Sequence, residues 1–181
     1  MRFVYADPPY LGKSSFGAAH HYGHQHERAA DYDTVDAHRA LLERIKADAP
    51  DGFAVSLGTP SLEEYAHLCR EVFGPNVVRF GAWVKPFASF KRGVNPAYVW
   101  EPVVFVPGPR KRDRKELTVR DFISANITTK KGTSGAKPDG FSFWLFDLLG
   151  MTAQDELQDW FPGSGAVARA WKEWRFQRGA A

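Results

Sequence analysis

The sequence predicts an α/β sandwich built around a mainly parallel sheet. Two short, continuous apolar runs, RFVYA (2–6) and FAVSLG (53–58), read as strands buried on both faces. Segments with helical apolar spacing alternate with such runs along the chain, and 44% hydrophobic residues among 181 are enough for one core. No internal repeat or linker interrupts the pattern, so residues 1–181 are read as a single domain.

The first strand stops at Asp7-Pro8-Pro9, because proline cannot donate to a sheet ladder. A polar stretch rich in Gly, Ser and His follows to residue 33. Thr34 then caps a helix to about Ala49, with Ala37, Leu41, Leu42 and Ile45 on its apolar face and Pro50-Asp51-Gly52 as its stop. After the 53–58 strand, Ser61 with Glu64 three residues on has the pattern of a capping box. The helix it opens offers Leu62, Tyr65, Ala66, Leu68, Cys69 and Val72 to the core and ends at Gly74-Pro75. Runs 77–84 and 98–106 suit a long hairpin. Residues 107–138 are basic and rich in Gly and Pro, and read as irregular apart from a short turn near 119–124. The closing elements are an apolar helix at 141–149, a short strand at 156–161, the loop Pro162-Gly163-Ser164-Gly165, and a helix at 166–176.

Composition narrows the function classes. No apolar run approaches the ~20 residues needed to span a bilayer. The N-terminal MRFVYADPP lacks the parts of a secretory signal, and mean hydropathy is −0.39. A soluble, cytoplasmic protein is expected. The lone Cys69 sits within a helical apolar pattern and reads as a small core residue, not a nucleophile. His20, His21, His24 and His26 lie in a glycine-containing loop without cysteine partners or helical spacing, so no metal site is assigned to them. Trp144, Trp160, Trp171 and Trp174 read as core or subunit-contact residues.

Charge is informative by position. Residues 85–137 hold 12 Lys/Arg and 4 Asp/Glu, while the whole chain nets only +3. Such a basic segment either docks a polyanion or forms a solvated loop.

Two loops carry chemistry, both following strands, where ligands of open α/β sheets bind. In Asp7-Pro8-Pro9-Tyr10, consecutive prolines fix the backbone so that a carboxylate and an aromatic ring sit rigidly at a strand end. A carboxylate and a carbonyl can accept both hydrogens of an exocyclic –NH₂ while a ring stacks on the planar group that bears it. In Phe161-Pro162-Gly163-Ser164-Gly165, glycines admit positive φ and close backbone approach. The third glycine of a dinucleotide fingerprint and the Gly-Lys-Ser/Thr ending of a phosphate loop are both missing, which disfavours NAD and nucleoside triphosphates. Asp159 nearby suits an α-ammonium group.

YADPPY (5–10) and DWFPGSGAV (159–167) together resemble the catalytic and S-adenosylmethionine motifs of the DNA amino-methyltransferases that modify adenine N6 or cytosine N4. AWVKPF…VNPAYVWEPVVFV (82–106) is similar to that family's tryptophan-lysine and aromatic-glutamate strand pair, and AKPDGFSFWLFDLLG (136–150) resembles its Lys-Pro segment and following helix. The order, catalytic motif first and cofactor loop last, is that of the permuted β group. The resemblance implies a Rossmann-like class I methyltransferase sheet, here reduced to about five strands with a basic insertion. It implies methyl transfer from S-adenosylmethionine to adenine N6 of a base flipped from double-stranded DNA, in a bacterial or phage-infected cell. Asp7, Pro8, Pro9 and Tyr10 would form the catalytic loop. Asp159, Phe161, Gly163, Ser164, Gly165, Lys137 and Pro138 would hold the methionine half of the cofactor. The basic segment would contact DNA through Lys91, Arg92, Arg110, Lys111, Arg112, Arg114, Lys115, Lys130 and Lys131. No metal is required. Cytosine N4 or an RNA base is the alternative target.

The pattern departs from the family after Gly165. The usual next two strands, one of which ends in a ribose-binding acid, are not expected in the 16 residues that follow. Glu173, on the closing helix, reads as solvent-exposed. A non-catalytic DNA-binding relative, or one subunit of a heterodimeric methyltransferase, is therefore the competing expectation; an open sheet edge makes a homodimer plausible too.

Overall fold

The computed structural model describes residues 1–11, 29–87, 95–127 and 136–179, and the histidine cluster lies outside them. Six strands form one sheet in the order β5-β3-β4-β2-β1-β6. They are β1 (Arg2–Ala6), β2 (Gly52–Ser56), β3 (Arg79–Val84), β4 (Trp100–Val106), β5 (Phe122–Ser124) and β6 (Glu156–Asp159). β1 is parallel to both β2 and β6, pairing Tyr5 with Ala54 on one side and with Asp159 on the other. β4 is antiparallel to β2 and β3, and β5 runs parallel to β3. Every strand but β4 thus ends at the same edge of the sheet, and β4 begins there.

The two faces are covered by different helix pairs. Helices α1 (Val35–Asp48) and α2 (Leu62–Phe73) bury Leu41, Leu42, Ile45, Tyr65, Leu68, Cys69 and Val72 against Val4, Val55 and Val104. Helices α3 (Asp139–Leu149) and α4 (Ala166–Gly179) pack Phe141, Trp144, Leu145, Phe146, Trp171 and Trp174 against Phe3, Tyr5, Trp83 and Phe105. Alternate residues of β1 feed opposite clusters, as the two-residue period of a strand requires. Burial pushes the Cys69 thiol up to about 12, in keeping with a core residue. Three of the four C-terminal tryptophans are buried; Trp160 is half-buried under the Arg44 guanidinium at 4.3 Å.

Several local expectations change. The Thr34 cap forms, its hydroxyl accepting from Ala37 N at 3.2 Å, but His38 takes the buried place expected for Ala37. The Ser61 capping box does not form, because a 3-10 turn at Thr59–Ser61 carries the chain into α2 without the extended residue a cap needs. Ser61 Oγ instead faces the Leu11 carbonyl at 3.5 Å, and Ala66 is exposed. The expected turn near 119–124 is β5, which raises the strands from five to six. Its three residues are too few to show a period, and parallel pairing with distant β3 decides their conformation. Thr34→Ala is expected to lower stability by about 1 kcal/mol in urea titration, through loss of one cap hydrogen bond.

Candidate active site

The Asp7-Pro8-Pro9-Tyr10 loop lies at the edge of the sheet where β1, β2, β3 and β6 end. Asp7 follows β1 directly, and just before it Trp160 N donates to Tyr5 O at 2.9 Å, extending the β1–β6 pairing by one residue. Tyr10 lies against Gly58, where an added Cβ would stand 3.1 Å from the Tyr10 ring. Beneath the loop, buried His38 joins α1 to its surroundings: its Nε2 meets Tyr32 O at 2.8 Å and its Nδ1 meets the Tyr65 hydroxyl. Burial lowers the His38 pKa, so it serves as a neutral strut.

Around Asp7 the structure assembles a charged network. The Lys137 ammonium, with only 5% of its side chain exposed, lies 3.0 Å from Asp7 Oδ1 and 3.1 Å from Glu101 Oε2. It also donates to the Tyr10 hydroxyl at 2.9 Å, which in turn donates to Glu101 at 2.8 Å. Lys85 pairs with the other Glu101 oxygen. The rings of Tyr10, Trp83 and Phe141 surround the Lys137 ammonium at 5.5, 5.5 and 5.7 Å. Burial alone would push Lys137 down and Glu101 up. The ion pairs outweigh it: Asp7 and Glu101 raise Lys137 well above its ordinary value, and Lys137 and Lys85 hold Glu101 at about 2. Lys137 and Glu101 are therefore both charged at neutral pH.

Lys137, which the sequence resemblance expects at the methionine half of the cofactor, is paired with Asp7 and Glu101 in this structure. Pro138 is the N-cap of α3, its carbonyl accepting from Ser142 N at 3.1 Å. Lys85 and Glu101 were absent from the sequence-derived site. Their signal was present, since Lys85 directly follows the apolar FGAWV and Glu101 is the one charge in the run 98–106, but Lys137, the other partner of Glu101, is far away in the chain.

The second loop flanks the first. Asp159 ends β6, adjacent to Tyr5 of β1, and its Oδ1 accepts from Phe161 N at 3.2 Å. Burial, aided by the nearby Asp7 charge, pushes its carboxyl up to about 6 against the pull of that N–H. Gly163 and Gly165 have φ of 44° and 70°, in the region that strains any residue with a Cβ. Apart from its chain neighbours, no described atom comes nearer than 3.9 Å to the place of a Gly163 Cβ, and Gly163 is exposed in front of the α4 N-terminus. Ser164 is exposed, while Phe161 is half-buried edge-on against Tyr32 at 5.1 Å.

The basic segment is split by the fold. Because β4 runs against its neighbours, residue 107 emerges at the opposite end of the sheet from Asp7. There Arg110 binds Asp155 and the Gly150 carbonyl, at 3.2 and 2.7 Å, and Arg112 donates to the carbonyls of Asp147 and Leu117. Arg110, Lys111, Arg112, Arg114 and Lys115, expected to contact DNA, therefore lie at the end of the sheet remote from the Asp7–Tyr10 loop. Lys91, Arg92, Lys130 and Lys131 lie outside the described residues. No cluster of potential metal ligands occurs among the described residues, and no described helix is long and apolar enough to cross a membrane.

No sequence-family model matches the chain, and no curated protein matches it in sequence. Solved structures do. The fold is similar to the M1.HpyAVI–SAM complex at 15% identity and TM-score 0.57, covering 96% of this chain and 78% of that one. M1.HpyAVI alone gives 13% identity and TM-score 0.58, covering 96% and 76%. TTHA0409 of Thermus thermophilus, described as a DNA modification methylase, gives 15% and 0.56, covering 96% and 77%. The architecture is accordingly a Rossmann-like methyltransferase fold.

Proposed function

We propose that this chain is an S-adenosylmethionine-dependent DNA methyltransferase acting on the N6 amine of adenine. The observation that carries this reading is the juxtaposition of a rigid Asp7-Pro8-Pro9-Tyr10 loop with the open Gly163–Gly165 turn and Asp159, at the ends of adjacent parallel strands. The same architecture binds SAM in M1.HpyAVI.

The donor set fits the methionine half of that cofactor: a carboxylate for its ammonium and a glycine turn with room for close approach. Asp159, Phe161, Gly163, Ser164 and Gly165 would hold it. When bound, it supplies an electrophilic methyl group. Asp7 accepts hydrogen bonds from the target –NH₂, which localises the nitrogen lone pair. Lys137 and the Tyr10 hydroxyl, the latter at 3.3 Å, occupy the Asp7 Oδ1 side and orient the carboxylate. Tyr10 offers its ring to the extruded base, and the Pro8 carbonyl supplies a second acceptor. Asp rather than Ser at the head of this motif favours adenine over cytosine.

Asp159 gives the reading a pH signature. Pairing with an ammonium requires the carboxylate, and its pKa is about 6 in the free protein. S-adenosylhomocysteine affinity is expected to fall about tenfold per pH unit below 6, measured by calorimetry, and Asp159→Asn should flatten that dependence. In the free protein the sign is reversed for stability: a raised carboxyl makes stability fall as pH climbs from 3.8 towards 6.

The edge position of β6 favours a second reading, in which a partner chain pairs with that strand and completes the adenosine side. Saturable S-adenosylhomocysteine binding by the isolated chain would support the first reading; binding only with a second subunit present would support the other.

A further inference from the structure

The end of the molecule remote from Asp7 has features that methyl transfer does not use. Four arginines converge on the turn at 147–155, between α3 and β6. Arg110 and Arg112 reach it from the segment after β4. From α4, Arg175 donates to Ala153 O at 2.7 Å and Arg178 pairs with Asp147 at 2.9 Å. Further cations neighbour these anchored guanidiniums in the chain, Lys111, Arg114 and Lys115 beside Arg110 and Arg112, and Lys172 one turn before Arg175 on α4. Lys111, Arg114, Lys115 and Lys172 are exposed, and their side chains have no ion-pair or hydrogen-bond partner among the described residues.

Around Lys172 lies a shallow, open cleft lined by Ala153, Gln154, Lys172, Arg175, Phe176 and Gly179. Phe176 is 73% exposed there, an aromatic face left in water next to two cations. Its cost to solubility is not offset by any packing role in the core. Cations that follow a backbone, combined with an aromatic face for a base, are the combination that binds single-stranded nucleic acid.

We propose that this end is a second nucleic-acid-binding surface, in which Lys111, Arg114, Lys115 and Lys172 contact backbone phosphates while Phe176 stacks on an unpaired base in the cleft. An acidic protein surface would satisfy the cations, but it has no use for the exposed ring. The site lies at the opposite end of the sheet from the catalytic loop, and its occupancy does not depend on methyl transfer.

The test is fluorescence anisotropy of a labelled 30-nucleotide single strand with the full chain, without cofactor, across a salt series. Replacing Lys111, Arg114, Lys115 and Lys172 by Gln is expected to reduce the salt slope by about 3 and to weaken binding roughly tenfold or more. Phe176→Ala alone should weaken binding about tenfold while leaving the salt slope unchanged. Photocrosslinking from a 4-thiothymidine strand to the 172–179 segment would support the site. Unchanged affinity in both variants would overturn it. So would competition by polyglutamate equal to that by the oligonucleotide, since the partner would then be any polyanion. Loss of methyl transfer with binding intact would count against the catalytic reading alone and leave this surface standing.

Discussion

Asp7→Ala is expected to reduce methyl transfer to DNA by about 10³-fold or more, the effect of removing a preorganised group that stabilises charge developing at the reacting atom. The loss should fall on kcat. S-adenosylhomocysteine binding should change little, because Asp159 and the Gly163–Gly165 turn do not need Asp7 for their geometry. A small gain in cofactor affinity at acidic pH is even expected, since the Asp7 charge contributes to the raised Asp159 pKa. Single-turnover transfer with labelled cofactor, alongside calorimetry, reads the two effects separately. A variant that retains full kcat would remove Asp7 from the mechanism.

Glu101→Gln carries the second large effect, on stability as well as rate. Glu101 compensates two lysines at once, and Lys137 is almost wholly buried. Removing its charge leaves Lys137 to Asp7 alone and strips Lys85 of its partner. Breaking a buried pair from one side typically costs several kcal/mol, because a desolvated charge is left behind. About 3 kcal/mol is expected, read from the midpoint of urea unfolding. Lys137→Met in the same background should recover part of that loss, since the uncompensated cation is gone. Strict additivity of the two substitutions would contradict the coupling. The pH dependence has a defined sign. Glu101 is held at about 2 against an ordinary 4.5, so its contribution is complete above pH 4.5 and disappears as pH falls towards 2. Glu101→Gln should lack this acid limb.

Rate is expected to suffer as well. With Glu101 neutral, Lys137 is drawn more tightly onto Asp7, and the Tyr10 hydroxyl loses its 2.8 Å acceptor. Both changes disturb groups proposed to face the target base, so kcat should fall while cofactor affinity holds.

What the sequence disclosed was what local chemistry determines. Two prolines after an apolar run make Asp7-Pro8-Pro9-Tyr10 rigid whatever surrounds them, and glycines at 163 and 165 announce a turn whose φ values only glycine adopts without strain. The strand and helix order followed from apolar periods. What stayed hidden was long-range. Lys85, Glu101 and Lys137 belong to one network only because β3, β4 and the start of α3 converge on Asp7, and no local spacing brings them together. The position of the basic run at 110–115 was hidden for the same reason: the antiparallel course of β4 carries the chain to the far end of the sheet, a direction that a count of charges does not contain. β5 was missed because three residues are defined by their partner strand, not by their own propensity.

The central assignment is tested most directly by the product. The full chain is incubated with mixed-sequence duplex DNA and S-adenosylmethionine carrying a deuterated methyl group, and the digested nucleosides are separated by mass spectrometry. The expected result is deuterated N6-methyl-deoxyadenosine, absent when Asp7 is replaced by Ala. Label on cytosine N4 would contradict the target base, and no label in any nucleoside, from protein that binds S-adenosylhomocysteine, would contradict the assignment of DNA methyl transfer to this chain.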